Sequence, residues 1–243
     1  MENKTKKKIM IGTPSYDGKL EAWYVNSLIE TIKMSYEKDV DIITGWVSYD
    51  ALIQRARNDT VAIALENDVD ALFFIDADIE WKPEWFFKIL EHKEDVVGGT
   101  YVKKTDENQI FPIYNTNQNW QIQENNLIEV TGLGTGFLKF SRNALKCLWD
   151  NSPEYYEYEK NNQAKRLIFN VGVTEDKQLV SEDMWACLIL GKHGFKIWLD
   201  PTITCNHIGT KKFSGNFANF IESLKTDNKL PTNVQNVDDD TII

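Results

Sequence analysis

The chain predicts an α/β fold, a single domain with a mostly parallel central sheet flanked by helices. Three observations carry that prediction. Residues 8–99 alternate short apolar runs with amphipathic stretches in the order βαβαβαβ, the pattern of a parallel sheet covered by helices on both faces. The run Ala71-Leu72-Phe73-Phe74-Ile75 is continuously apolar, as a strand buried on both faces must be. It passes directly into Asp76-Ala77-Asp78, and the carboxyl ends of strands are where open α/β sheets bind ligands.

Each element has its own local signal. Residues 8–13 form a short apolar strand that enters the turn cluster Pro14-Ser15-Tyr16-Asp17-Gly18. Residues 20–36 have helical spacing, with Trp23, Leu28, Ile32 and Tyr36 on one side. Residues 40–47 read as the second strand. Ser48 is placed to cap a helix over 49–66 that carries Leu52, Ala56 and Ile63, with Arg55, Arg57 and Asn58 near its second turn. After the Asp76 strand, Trp81-Lys82-Pro83 opens a helix to residue 91, with Pro at a favoured early position. Residues 95–99 are the next strand.

Beyond Tyr101 the pattern loosens. Residues 103–127 are polar, with strand-like pieces at 111–114 and 120–122. Strands at 128–131 and 136–140 flank Gly132-Leu133-Gly134-Thr135-Gly136, whose glycines point to close backbone approach or a sharp bend. Ser141 caps a helix to 149. Residues 153–165 read as a charged, aromatic loop and 167–171 as a strand. Ser181-Glu182-Asp183 opens a helix through 193. Strands at 196–199 and 202–205 are split by Asp200-Pro201, residues 206–212 form a polar loop, and 213–224 a last helix. The domain is expected over 1–226, with 227–243 a polar, acidic and mobile tail. There is no internal repeat and no Gly/Ser linker.

Composition sets bounds on function. The 243 residues are 42% hydrophobic, enough for a sizeable core. Most of the eight Trp are expected in that core. A net charge of -10 argues against a general nucleic-acid binder. Cys147, Cys187 and Cys205 lack metal-type spacing, and their odd number fits a reducing compartment. No apolar run approaches the roughly 18 residues of a membrane span, and residues 9–12 are too short for a signal segment. The expectation is a soluble, cytoplasmic protein.

Two carboxylates separated by one small residue suit a hard divalent cation that also holds phosphate oxygens. Asp-x-Asp occurs four times, at Asp39, Asp68, Asp76 and Asp238, and the pair at Asp76 and Asp78 is the one that follows a strand. The plainer reading is that these aspartates cap the turn before Pro83. The loop after the first strand is placed as a floor for a nucleotide base, yet it carries neither G-x-G-x-x-G nor G-x-x-x-x-G-K-[ST].

With these residues in view, the chain resembles nucleotide-sugar glycosyltransferases of the GT-A (Rossmann-like) fold. The resemblance is to the family 2-like kind found in bacteria, phages and large viruses. It spans roughly residues 9–209. It rests on Arg57-Asn58, Phe74-Ile75-Asp76-Ala77-Asp78, Gly134-Thr135-Gly136-Phe137, Ser181-Glu182-Asp183 and Asn206-His207-Ile208-Gly209. It implies that Asp78 binds a metal ion directly, that Asp76 does so through water or touches the ribose, and that His207 completes the metal site. Mixed carboxylate and imidazole ligation suits Mn²⁺ better than Mg²⁺.

The donor it implies is a nucleoside-diphosphate sugar, a UDP-sugar foremost. The residues expected to hold that donor are Thr13, Pro14, Ser15, Tyr16, Arg57, Asn58, Asp76, Ala77, Gly134 and Lys211. The acceptor is left open. An inverting transfer needs a base for the acceptor hydroxyl, and the resemblance assigns it to Asp183 with Glu182 beside it. The same two carboxylates also have an ordinary reading, as first-turn acids meeting the helix dipole behind a Ser181 N-cap.

Other readings stay open. His207, Gly209 and Lys211 also resemble the His-Gly-Lys pattern of retaining family 8 enzymes, in which the Lys touches phosphate. The Gln-x-x-Arg-Trp segment of processive synthases is absent. A sugar-1-phosphate nucleotidyltransferase would want a Gly-rich basic loop where residues 13–18 stand. A non-catalytic carbohydrate- or protein-binding module on a degenerate transferase fold would be expected to have lost Asp78, Asp183 or His207, and all three are present.

Overall fold

The structure is a computed structural model and describes residues 6–105, 109–116, 120–157, 164–174 and 177–227. The expected acidic tail beyond Asp227 lies outside the described residues, as do residues 158–163 of the charged, aromatic loop. The main elements are β1 (Lys7–Ser15), α1 (Ala22–Ser35), β2 (Val40–Ser48), α2 (Ile53–Glu66), β3 (Ala71–Ile75), α3 (Pro83–Glu91) and β4 (Val96–Tyr101). They continue with β5 (Phe137–Ser141), α4 (Arg142–Asp150), α5 (Glu182–Lys192), β6 (Ile197–Ile208) and α6 (Phe217–Asp227).

These strands form one sheet in the order β6-β4-β5-β3-β1-β2. All point the same way except β5, which runs antiparallel between β3 and β4. A parallel strand needs a crossover of a dozen or more residues, usually a helix. No described helix lies between β4 and β5, and the chain turns back to re-enter the sheet at the edge it left. That reversal brings Gly136 to the carboxyl ends of β3 and β4, where Asp76 N–H donates to the Gly136 carbonyl at 3.3 Å.

The core lies on both faces of the sheet, and β3 serves both. Leu72 and Phe74 pack with Met10, Leu138, Phe140 and the helices α2, α4 and α5. Phe73 and Ile75 pack with Ile9, Ile11, Phe137 and the helices α1 and α3. Phe73 stacks on Phe86 at 4.8 Å and meets Phe137 at 4.7 Å. Full burial of such a side chain contributes about 2–3 kcal/mol. The Trp residues follow the expectation: Trp81 and Trp198 are buried, Trp85, Trp120, Trp149 and Trp185 pack against the core, and Trp23 and Trp46 are exposed.

Several expected elements differ. The inward face of α1 is Tyr24, Ser27, Leu28, Thr31 and Ser35. Trp23 and Tyr36 point outward, because Ser27 and Thr31 hydrogen-bond Trp81 inside. Ser48 ends β2 and does not cap α2. Tyr49 takes a positive φ of 63°, and the Asp50 carboxylate accepts from Leu52 N–H at 2.9 Å, so the helix starts at Ile53. Asp200-Pro201 does not split a strand in two. It sits in a bulge of the continuous β6, where Asp200 accepts from Lys88 and Thr202. Lys212–Phe213 is a short strand on β6, so the last helix begins only at Phe217. Residues 120–122 form no strand.

The segment 167–171 is not a strand either. Asn58 holds it: Oδ1 accepts from Ile168 N–H at 3.1 Å and from Phe169 N–H at 2.8 Å. The amide thus replaces the ladder a strand would have provided. Replacing Asn58 with Ala leaves two buried donors unpaired, and a loss of about 2 kcal/mol is expected. A urea midpoint equal to the parent's at unchanged slope would show that this pin carries no weight.

Candidate active site

The carboxyl ends of β1, β3, β4 and β6 converge on one cleft of about 700 Å³. The β1 end supplies Pro14, Ser15 and Tyr16, and the β3 end supplies Asp76, Ala77 and Asp78. Tyr101 comes from β4, His207 from β6 and Arg57 from α2. Convergence at strand ends is what the parallel topology produces, because each such strand delivers its last residue to the same edge.

Arg57 lies in the second turn of α2 and is buried. One terminal nitrogen is 3.0 Å from Asp76 Oδ1 and the other is bonded to Glu182 Oε1. Burial would lower its basicity, but the charges of Asp76, Glu182 and Asp183 outweigh that and hold the guanidinium firmly charged. The pair of bonds ties together β3, α2 and α5. Its Nε is buried with no hydrogen-bond partner among the described residues. Burial raises the Glu182 carboxyl, and Arg57 only partly offsets this.

Asp78 Oδ2 lies 3.4 Å from His207 Nε2 and 2.5 Å from Lys104 Nζ. Burial would raise this carboxyl, yet the hydrogen bonds of His207 and Lys104 hold it below the usual range. His207 Nδ1 sits 3.0 Å from the Val102 carbonyl. A carbonyl only accepts, so Nδ1 carries a proton and Nε2 faces Asp78. Backbone pairing fixes this arrangement: Ile208 N–H donates to the Asp78 carbonyl at 2.8 Å, and His207 pairs with Ile79.

Tyr101 backs the cleft, its ring edge-on to His207 at 5.1 Å. A Cβ at Gly134 would come within 2.7 Å of its Oη, and one at Gly136 within 2.6 Å of its ring. The glycines make room for this phenol. Burial, with the negative charges of Asp76 and Asp183, raises its pKa well above normal.

Asp183 Oδ1 accepts from Met184 N–H at 2.8 Å and from the Ser181 hydroxyl. The Ser181 oxygen is in turn 2.8 Å from Tyr114 Oη. Ser181 occupies the N-cap position without a side-chain capping bond. Its hydroxyl instead links Tyr114 to Asp183. Burial and Asp183 push the Tyr114 phenol up to about 12.

The structure thus gathers Pro14, Ser15, Tyr16, Arg57, Asp76, Ala77, Asp78 and His207 around the cleft, with Glu182 joined to it through Arg57. Other expected donor residues sit elsewhere. Thr13 is buried, 2.5 Å from Tyr24 Oη. Asn58 pins residues 168 and 169, and Gly134 shapes Tyr101. Lys211 is exposed on the turn after β6, its Nζ 5.0 Å from the Phe213 ring centre. Lys104 and Tyr101 escaped the sequence reading. The available signal was position, since both lie at or just past the end of β4, as Asp78 lies just past β3.

Among the described residues no three His, Cys, Asp or Glu side chains gather as a metal cage. Asp78 and His207 do form a two-ligand set of carboxylate and imidazole. That chemistry fits Mn²⁺, with phosphate oxygens and water to complete the shell. Asp76, expected as a further ligand, gives Oδ1 to Arg57.

Arg57 removal leaves Asp76 and Glu182 without a countercharge in a largely buried place. Arg57→Ala is therefore expected to lose about 2–4 kcal/mol of stability, at the low side of buried pairs because both carboxylates keep some exposure. Equilibrium urea unfolding reads this. Unaltered stability with only a raised donor KM would instead make Arg57 a donor ligand alone.

No family model matches the chain, and no curated protein matches it. Solved structures do. A197 from STIV aligns with a TM-score of 0.50 at 17% identity, over 86% of this chain and 94% of that one. S. aureus TarS 1-349, in complex with UDP-GlcNAc, aligns with a TM-score of 0.47 at 14% identity, over 87% of this chain and 60% of that one. GalNAc-T7, with UDP, GalNAc and Mn²⁺, aligns with a TM-score of 0.45 at 8% identity, over 86% of this chain and 45% of that one. This chain therefore spans less than two thirds of the last two. No described helix is long and apolar enough to cross a membrane. The likeness to A197 is one of fold, and the sheet order is that of the mostly parallel α/β fold that the sequence predicts.

Proposed function

We propose that the chain is a cation-dependent glycosyltransferase. It moves a sugar from a nucleoside-diphosphate sugar, a UDP-sugar first among candidates, to an acceptor hydroxyl with inversion. The observation that supports this is the meeting of Asp78 Oδ2 and His207 Nε2 at one point of a strand-end cleft. A ligand pair at that place suits a diphosphate better than a neutral metabolite.

Asp78 and His207 would hold a divalent cation, which would supply charge neutralisation for a diphosphate. Pro14, Ser15 and Tyr16 form the donor floor, with the exposed ring of Tyr16 available to a base. Arg57 holds Asp76 and Glu182 in place by its two ion pairs. Asp183 takes the acceptor proton on Oδ2, while Oδ1 is held by Met184 N–H and Ser181. As the acceptor oxygen bonds the anomeric carbon, the bond from that carbon to the diphosphate breaks, and its electron pair leaves with the nucleotide. The retaining alternative rests on Lys211, which is not among the residues lining the cleft.

Three measurements test the reading. A panel of sugar nucleotides is expected to be hydrolysed slowly in the presence of Mn²⁺ and far less without it. Asp78→Ala should abolish Mn²⁺-dependent UDP binding by calorimetry with the fold intact; unchanged binding removes Asp78 from the metal site. Asp183→Asn should lower single-turnover transfer at least ~100-fold while UDP and Mn²⁺ still bind. If Asp183 serves only the helix dipole, turnover stays and stability falls by about 0.3–1 kcal/mol.

A further inference from the structure

Asp78 already carries a cation of the chain's own. Lys104 Nζ lies 2.5 Å from the same Oδ2 that faces His207. The lysine stem reaches it by crossing Gly209, where a Cβ would come within 3.0 Å of Lys104 Cδ. The base of its loop is closed by Lys103 N–H donating to the Ile110 carbonyl at 2.8 Å. Movement of Lys104 therefore asks only for side-chain rotation, which a flexible four-carbon stem allows.

Two physical points follow. An ammonium at hydrogen-bond distance and a metal ion at about 2.0–2.2 Å from one oxygen repel each other across a short gap. The cleft's charges also need a further cation. Arg57 is committed to Asp76 and Glu182, and Lys19, the other basic residue of the lining, pairs with Asp17 at 2.9 Å. A bound donor adds about two negative charges, which rise to about three when the nucleoside diphosphate leaves. One divalent ion cannot balance these together with Asp78.

Resting on the proposed function, we propose that Lys104 is a donor-phosphate ligand held in reserve on Asp78. It yields Oδ2 to the divalent cation and turns its ammonium to the diphosphate, meeting the charge that grows as the nucleotide departs. Lys104 would then act where the sequence suggested Lys211.

The test is Lys104→Met, which keeps the stem and removes the charge, with Lys104→Arg as the charge-retaining control. Mn²⁺ affinity is measured by calorimetry without nucleotide, and UDP affinity at saturating Mn²⁺. The Met variant is expected to bind Mn²⁺ roughly threefold to tenfold tighter and UDP roughly threefold to tenfold weaker, with Arg restoring UDP binding. Equal Mn²⁺ affinity in parent and Met variant overturns the competition, and unaltered UDP affinity overturns the phosphate contact. If the parent itself binds no Mn²⁺ with or without UDP, the metal reading of the site fails and this inference falls with it.

Discussion

The cleft depends on the buried guanidinium of Arg57. It is the point at which β3, α2 and α5 are joined by charge, through Asp76 and Glu182. Two carboxylates converging in a largely buried space repel each other. A guanidinium between them offsets that repulsion and fixes direction as well, because its planar fork bonds only along set lines. Asp76 therefore serves first as an anchor. Asp78, two residues on, is held on the other side by His207 and Lys104.

A second constraint is steric and comes from the reversed strand β5. Its entry places Gly134 and Gly136 against Tyr101, and Tyr101 against His207. A side chain at either glycine would displace the phenol and, with it, the face on which the imidazole rests. On the far side, Ser27 and Thr31 of α1 hold Trp81 by hydrogen bonds to its backbone and indole. The segment leaving Asp78 is thus gripped by polar groups inside the core. Buried polar groups tolerate this only when paired, and these are.

The two carboxylates that open α5 divide by environment. Glu182 is spent on Arg57, while Asp183 is supported by a backbone N–H and a chain of hydroxyls from Ser181 and Tyr114. Adjacent acids in one helical turn so acquire different duties, because successive residues on a helix point about 100° apart.

The sequence by itself determined the fold class and the placement of the cleft. Continuous apolar character in β3 and the alternation of short and long apolar patterns are local properties, and they specify a parallel sheet without knowledge of partners. That Asp76 and Asp78 stand at a strand end is equally local. What only the tertiary structure decided is which side chains meet. The reversal of β5, the inward turn of Ser27 and Thr31, and the pinning of residues 168 and 169 by Asn58 all depend on contacts distant in sequence. Lys104 and Asp78 are joined across the sheet in the same way. Spacing along a chain fixes the face on which a residue lies, but a salt bridge or a metal ligand set is fixed by distances of a few ångströms between different elements. Those distances exist only once the sheet has closed its order and the strand ends have been brought together.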